Sequence, residues 1–271
     1  MLKNMRFEWD SSKYISSSGL QTAMGKKLIN TLPIRNNEDI LDIGCGTGNL
    51  TIKMAGIVNN GYVTGIDSSP LMIKKAKEMA ESIGVINIQF LVMDAGDINF
   101  SRQFDIVFSN SAIHWVKESE KLLKSIRVAL KQRGHIGLQF PLLNSSHPLI
   151  AIASEVIKSL KLEDYYNSWD FPWFVPALEE YKALLRNLGF KDINIQQIEN
   201  SFKFKSAAAA FDFFESVGFV LFLEPLPSER KILFREEFMK TLKELASNNG
   251  LEFTFQRLFA FANADDRSIE K

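Results

Sequence analysis

Asp42 is followed by glycines at positions 44, 46 and 48, and two further acids, Asp67 and Asp94, stand at the ends of later apolar runs. Glycine at every second position strips a turn of side chains, so that backbone N–H groups and the start of the next helix can approach a ligand closely. The run Ile40-Leu41-Asp42-Ile43 leads straight into this turn and the residues after Gly48 suit a helix, so a buried strand, a turn and a helix are expected in succession. A dinucleotide fingerprint would place its third glycine at position 49, where this chain has Asn49, so the match to NAD is poor. Asp42 at the mouth of the strand would repel a pyrophosphate but can accept hydrogen bonds from an ammonium group. A zwitterionic nucleoside fits this turn better than a diphosphate.

The other candidate residues extend that reading. Asp67, about twenty residues beyond the turn, can accept both hydroxyls of an unphosphorylated ribose, or serve with Ser68 as a helix cap ahead of Pro70. Met72 can pack on a purine face or in the core. In Met93-Asp94-Ala95, Asp94 can accept from an exocyclic amine or cap a turn. His114 is the best placed base for a proton-bearing nucleophile, and is equally suited to a pocket wall or a hydrogen bond to a substrate oxygen. Trp115 packs under the following helix or touches substrate. Arg257 can hold an oxyanion in a two-pronged grip, or sit on a strand surface paired with a glutamate. Tyr14 and Gln21 either close over the ligand or anchor the N-terminal helix. His114, His135 and His147 have no metal-ligand spacing, so no metal is expected.

These residues need positioning elements. Residues 20 to 29 have helical spacing, and from Glu38 short apolar runs alternate with amphipathic helices: 40 to 43, 62 to 67, 88 to 92, 104 to 108 and 135 to 140 as strands, with a helix across Lys121 to Lys131. Residues 142 to 189 read as largely helical, broken at the aromatic turn Phe171 to Pro176; 193 to 204 and 253 to 261 read as strands, and 206 to 219 and 228 to 246 as helices. The chain is expected to be a single α/β domain. It divides into an N-terminal helical segment (1–37), a ligand-binding core (38–140), a helical cap over the substrate site (141–189 and 206–249) and closing strands (191–204 and 251–263). Of the 22 phenylalanines, 17 lie beyond residue 139, so the second half supplies most of the aromatic surface, for a substrate or for ordinary core packing. Trp173 and Phe219 are its candidate substrate contacts.

The 271 residues carry 32 basic and 32 acidic side chains, a balance that argues against a non-specific nucleic-acid binder. The apolar stretch 217–223 is far too short to span a bilayer. The start of the chain lacks the apolar core of a signal peptide and the lone Cys45 has no disulfide partner, so a cytoplasmic protein is expected, monomeric or a weak homodimer.

Glu38 to Gly48, Gly65-Ile66-Asp67-Ser68-Ser69-Pro70-x-Met72, Met93-Asp94-Ala95, Phe104 to Asn110 and the turn Arg127 to Gly134 resemble, in order, the motif series of class I S-adenosylmethionine-dependent methyltransferases. The resemblance implies a Rossmann-like seven-stranded methyltransferase sheet whose last strand is antiparallel, with N-terminal helices and an inserted helical cap, and S-adenosylmethionine as cofactor, released as S-adenosylhomocysteine. It places Gly44, Gly46 and Gly48 at the methionine part, Asp67 at the ribose, Asp94 and Ala95 at the adenine, and Asn110 beside the transferable methyl, with Cys45, Thr47 and Ser68 also among the cofactor-binding residues. Ser109-Asn110-Ser111-Ala112 replaces the Pro-Pro-aromatic signature of nucleic-acid methyltransferases.

A narrower resemblance reaches the ends. Trp9-Asp10-x-x-x-Tyr14, Ser111 to Val116, Glu180 to Phe190 and Phe253 to Phe259 are similar to trans-aconitate methyltransferases and to the malonyl carrier-protein methyltransferases, both of which esterify a carboxylate. That implies O-methylation of a carboxylate on a small-molecule or acyl-carrier substrate. Carbon, nitrogen or phenolic oxygen methylation with His114 as base is the alternative, and a non-catalytic partner subunit that keeps the cofactor fold is another. Where the trans-aconitate enzymes tend to have Gly-Thr-Gly-Leu-Arg, this chain has Ser216-Val217-Gly218-Phe219-Val220, a departure that counts against a polyanionic substrate.

Overall fold

The computed structural model describes residues 19–142, 147–174 and 176–264. Its elements in chain order are α1 (Gly19–Thr31), β1 (Ile40–Ile43), α2 (Asn49–Ala55), β2 (Val63–Asp67), α3 (Pro70–Ser82), β3 (Ile88–Val92), β4 (Phe104–Asn110), α4 (Ser119–Ala129), β5 (Leu130–Pro141), α5 (Pro148–Ser159), α6 (Glu163–Tyr166), α7 (Leu178–Asn187), β6 (Phe190–Phe204), α8 (Ala207–Val217), α9 (Ser228–Leu245) and β7 (Leu251–Ala264). The strands form one seven-stranded sheet in the order β3-β2-β1-β4-β5-β7-β6. β7 runs antiparallel to both β5 and β6, and the pairs among β1 to β5 are parallel. The order of pairing reverses between β1 and β4, the place where an open parallel sheet leaves a crevice at the carboxyl ends of its strands.

The central strands are covered on both faces, which is why they read as near-continuous apolar runs. Ile40 packs into one core with Met24 and Leu28 of α1 and Met54 of α2, while Leu41 and Ile43 pack into the other with Leu122, Leu123 and Ile126 of α4. Helix α3 is started by Ser69, whose hydroxyl accepts from the Met72 N–H at 3.3 Å, with Pro70 in the first turn. The capping residue is therefore Ser69 and not the expected pair Asp67 and Ser68; Asp67 accepts the Ser69 N–H and Ser68 stays exposed.

Two expected boundaries move. The helix expected to reach Lys131 ends at Ala129, and β5 begins at Leu130, opposite Phe104. Lys131 explains this: its ammonium bridges Asp39 at 2.8 Å and Asp105 at 2.7 Å, which ties the segment into the sheet margin. The residues 141–189, expected as one part of a cap, divide. Helix α5 contributes Leu149, Ile152 and Val156 to the core that also holds Phe234 and Phe238 of α9. Helix α7 instead covers the sheet, with Tyr181 edge-on to Phe140 at 5.2 Å and Leu185 in the same core. An i, i+4 apolar pair, Tyr181 and Leu185, seats that helix on the strands, so the cap portion stops short of residue 178.

The second half packs its phenylalanines mainly against one another. Phe204, Phe213, Phe214 and Phe255 form one ring cluster, and Phe211, Phe219, Phe234 and Phe238 another. Phe219, expected to touch substrate, is fully buried, with rings of Phe238 at 4.8 Å and Phe211 at 5.0 Å. The turn at Gly218 swings it inward onto α8 and α9, and the Arg235 guanidinium lies over its ring at 5.3 Å. Phe219→Ala should accordingly lower the unfolding free energy in urea titration by about 3–5 kcal/mol, as cavity-forming aromatic truncations do, with cofactor affinity of the folded protein unchanged.

Candidate active site

The glycine turn follows β1 at the crevice, with Asp42 in register with Gly65 of β2 and Phe108 of β4. Gly44, Gly46 and Gly48 all have left-handed backbones, with φ of 73°, 55° and 83°. They are glycine for different further reasons. A Cβ on Gly44 would stand 2.1 Å from the Ala112 Cβ, and one on Gly48 would stand 2.9 Å from the Phe90 ring and 3.0 Å from Ala76. A Cβ on Gly46 would meet nothing within 4 Å. Gly46 thus faces open space, whereas Gly48, expected to face the ligand, packs the turn onto α3 and β3.

Four of the turn's N–H groups, expected to be offered to a ligand, are engaged internally. Gly44 and Cys45 donate to the Ile66 carbonyl at 2.8 and 2.9 Å, Gly46 donates to the Asp67 carboxylate at 2.9 Å, and Gly48 donates to the Cys45 carbonyl at 3.0 Å. A phosphate cradle needs such donors available. This turn presents acceptors instead.

Those acceptors gather in a recess lined by Gln21, Asp42, Gly44, Cys45, Gly46, Thr47 and Asn110. Asp42 is buried, and its carboxylate accepts from the Thr51 hydroxyl of α2 at 2.6 Å. Burial pushes its carboxyl up to about 7 against the Thr51 bond, and the nearby Asp67 charge adds to the rise. The Asn110 amide donates to the Gln21 carbonyl at 3.0 Å, which brings α1 onto the end of β4. The buried side-chain oxygens Gln21 Oε1 and Asn110 Oδ1 have no hydrogen-bond partner among the described residues. A buried carboxylate with two orphaned acceptor oxygens fits the ammonium of an amino-acid moiety, and Asp42, Gln21 and Asn110 are the residues that would hold it. Tyr14 lies outside the described residues. Cys45 flanks the turn, where burial holds its thiol well above the ordinary range.

The recess adjoins a cavity of about 1300 Å³, larger than a single small-molecule site needs. Its cofactor end is lined by Asp67, Ser68, Met72, Met93, Asp94 and Ala95, which the sequence placed together. Each Asp67 oxygen accepts one backbone N–H, from Gly46 and from Ser69, both at 2.9 Å, and has capacity for a further donor such as a ribose hydroxyl. Burial raises the Asp67 carboxyl, opposed by these two bonds. Asp94 accepts from the Gly96 N–H at 2.8 Å and is exposed at the cavity edge. Met72 is buried and also lines the cavity, so its core and ligand-wall roles coincide.

The other end is lined by His114, Trp115, His147, Trp173, Phe213, Ser216, Phe255 and Arg257. His114, in the short 3₁₀ turn Ile113–Trp115, is buried, stacks edge-on with Trp173 at 5.1 Å and accepts the Phe174 N–H on its own carbonyl at 2.8 Å. Burial first, then the charges of Arg257 and His147, hold its imidazole well below the usual range, so the ring is neutral. His147 is pushed down to about 3 by burial and Arg257. Arg257 is only 4% exposed, so it is no surface residue. The neighbours Phe253, Phe255, Phe259 and Phe261 occupy alternate positions with it along β7, so strand periodicity directs the guanidinium to their face.

Sequence reasoning missed His147, Phe213 and Phe255 as cavity residues. The alternation of β7 carried the signal for Phe255; His147 joins only through the tertiary fold, facing Phe255 at 5.6 Å. Phe219 is the expected cavity residue that lies elsewhere. No group of three His, Cys, Asp or Glu side chains suited to a metal occurs among the described residues, and no helix there is long and apolar enough to cross a membrane.

A methyltransferase-domain family model matches residues 34–171. The chain is 24% identical over 261 residues to trans-aconitate 2-methyltransferase from Enterobacter sp. (strain 638), covering 95% of this chain and 99% of that one. Among solved structures it is similar to the YcgJ protein of Bacillus subtilis, at a TM-score of 0.64 and 18% identity, covering 90% of this chain and 99% of that one. It also resembles phosphoethanolamine N-methyltransferase 2 of Haemonchus contortus in complex with S-adenosyl-L-methionine, at a TM-score of 0.61 and 18% identity, covering 94% of this chain and 56% of that one.

An ammonium group bonds to the ionised form of Asp42, which without a ligand titrates near 7. Affinity for S-adenosylmethionine should therefore fall about tenfold for each pH unit below 7, and binding in that range should release a proton. Calorimetry in two buffers of different ionisation heat measures both. Asp42→Asn should flatten the profile; an affinity of the unmodified protein that is constant between about pH 5.5 and 8 would show that Asp42 does not meet the ammonium.

Proposed function

From the premise that the chain belongs to the methyltransferase domain family and is an S-adenosylmethionine-dependent enzyme, we propose that it methylates a carboxylate oxygen of a small molecule. The observation that carries this is Arg257, a buried guanidinium in the wall of the cavity whose opposite end has the acceptor set for the cofactor. A guanidinium fork matches the two oxygens of a carboxylate, and burial strengthens the pairing by excluding water. The relative that is a trans-aconitate 2-methyltransferase supports the same class of acceptor.

When bound, S-adenosylmethionine supplies an electrophilic methyl group on a sulfonium. The protein's share of the work is alignment and exclusion of water. Asp42, Gln21 and Asn110 fix the amino-acid end, Asp67 the ribose, and Asp94 the adenine. Arg257 holds the acceptor, and Trp115 and Trp173 wall the space between. His114 orients the acceptor with its neutral ring. A carboxylate is already ionised at neutral pH and needs no base, and an imidazole held well below its usual range is a weak one for a phenol or an amine.

Arg257→Met should lower kcat/KM for the acid about 100-fold, as loss of one partner of a buried charge pair does, with S-adenosylmethionine affinity unchanged. His114→Ala should reduce turnover about tenfold or less, the loss of one orienting contact. A His114 variant with no measurable turnover and intact cofactor binding would favour a carbon, nitrogen or phenol acceptor with His114 as base. Absence of methyl transfer to any organic acid or acyl thioester by the unmodified protein would favour a non-catalytic subunit.

A further inference from the structure

We infer that the acceptor is a monocarboxylate with a flat, apolar body and not a polyanion, an inference that rests on the carboxylate reading above. The charge lining the cavity decides against several carboxylates. Six acids line it, Asp67, Asp94 and Asp97 toward the cofactor end and Glu118, Asp170 and Glu224 elsewhere, with the three cations Lys117, Lys121 and Arg257. Both lysines stand at the exposed rim beside acids: Lys117 is paired with Asp170, and Lys121 lies 3.7 Å from Glu118. Among the described residues, Arg257 is therefore the one buried cation in the wall. It can neutralise one carboxylate. A second or third on the same molecule would be desolvated among aromatic rings, with no second buried cation among the described residues to pair it.

What surrounds Arg257 selects the remainder of the molecule. Pro141, Phe213, Phe255, Val217 and Leu221 line the same region as Trp173. The Trp173 indole Nε1 is buried without a hydrogen-bond partner among the described residues, as are Nδ1 of the neutral rings His114 and His147, so uncharged groups accompany the guanidinium and none of them carries a second positive charge. Aromatic walls favour a planar, conjugated or aromatic body over a branched polar one. One anion at one end and apolar matter elsewhere is what this cavity complements.

The test is a comparison of acids on the enzyme with S-adenosylmethionine. A panel of about ten monocarboxylates with aromatic or unsaturated bodies, trans-cinnamate among them, is set against the tricarboxylate trans-aconitate. The best monocarboxylate should exceed the tricarboxylate in kcat/KM by about 100-fold or more, the factor expected for leaving a charge unpaired. Val217→Arg, which adds a second cation to the wall, should narrow that ratio about tenfold or more. A tricarboxylate equal to or better than every monocarboxylate, or a ratio that Val217→Arg leaves unmoved in a folded protein, overturns the inference while carboxylate methylation stands. Methyl transfer to none of the acids, with cofactor binding intact by calorimetry, removes the carboxylate reading itself.

Discussion

A carboxylate buried beneath a glycine turn is the constraint on which the rest of this molecule depends. Asp42 lies on β1, between β2 and β4 in the interior of the sheet, and among the described residues its hydrogen-bonding side-chain partner is Thr51 at 2.6 Å. With its carboxyl raised from 3.8 to about 7, holding it ionised in the folded chain above that pH costs on the order of 4 kcal/mol relative to the unfolded chain. The sign is that of a raised acid: the folded protein binds the proton more tightly, so this group's contribution to stability is greatest in acid and is lost as pH rises from about 4 to about 7. A cation bound beside Asp42 reverses that loss. With the cofactor's ammonium proposed as that cation, binding and folding would be coupled through one side chain.

The same logic divides the cavity by polarity. At the glycine turn the N–H groups of all three glycines and of Cys45 are engaged within the protein, and Asp42, Gln21 and Asn110 offer acceptors. At the far end Arg257 and Trp173 offer donors in aromatic surroundings. Strands set the separation. Asn110 pairs with Gln139, Gln139 with Phe259, and Arg257 lies two residues along from Phe259, so the two ends are about 12 Å apart at the backbone. That is enough for a sulfonium and an acceptor between two polar termini. The cap helices and the cavity wall are closed by phenylalanine clusters, so most of the aromatic content of the second half holds the cap together and a smaller part faces the cavity.

Local sequence rules reached the parts of the molecule in which neighbours in the chain do the work. β1, the glycine turn, Asp67 and Asp94 sit at strand ends, where period and punctuation are clear, and the antiparallel β7 followed from a resemblance carried by motifs in order. Less was readable where burial is decided at long range. Gly48 looks like Gly44 and Gly46 until Phe90 of β3 is seen beneath it. Phe219 looks like a cap residue until the Gly218 turn directs it into α8 and α9. Arg257 was ambiguous between surface and site; the alternate row Phe253, Phe255, Arg257, Phe259 was already a cue that the guanidinium shares the face of these phenylalanines, since residues two apart in a strand lie on one side. His147 carried no cue, because α5 brings it to Phe255 from a distant part of the chain.

The atom that receives the methyl group distinguishes a carboxylate acceptor from every other. The most direct measurement is to incubate the protein with S-adenosylmethionine labelled in its methyl group and a mixture of apolar organic acids, then expose the product to mild alkali. A methyl ester releases its label as volatile methanol under those conditions, and release of nearly all the transferred label is the predicted result. Label that survives alkali in the product, as it would on carbon, nitrogen or a phenolic oxygen, would contradict it.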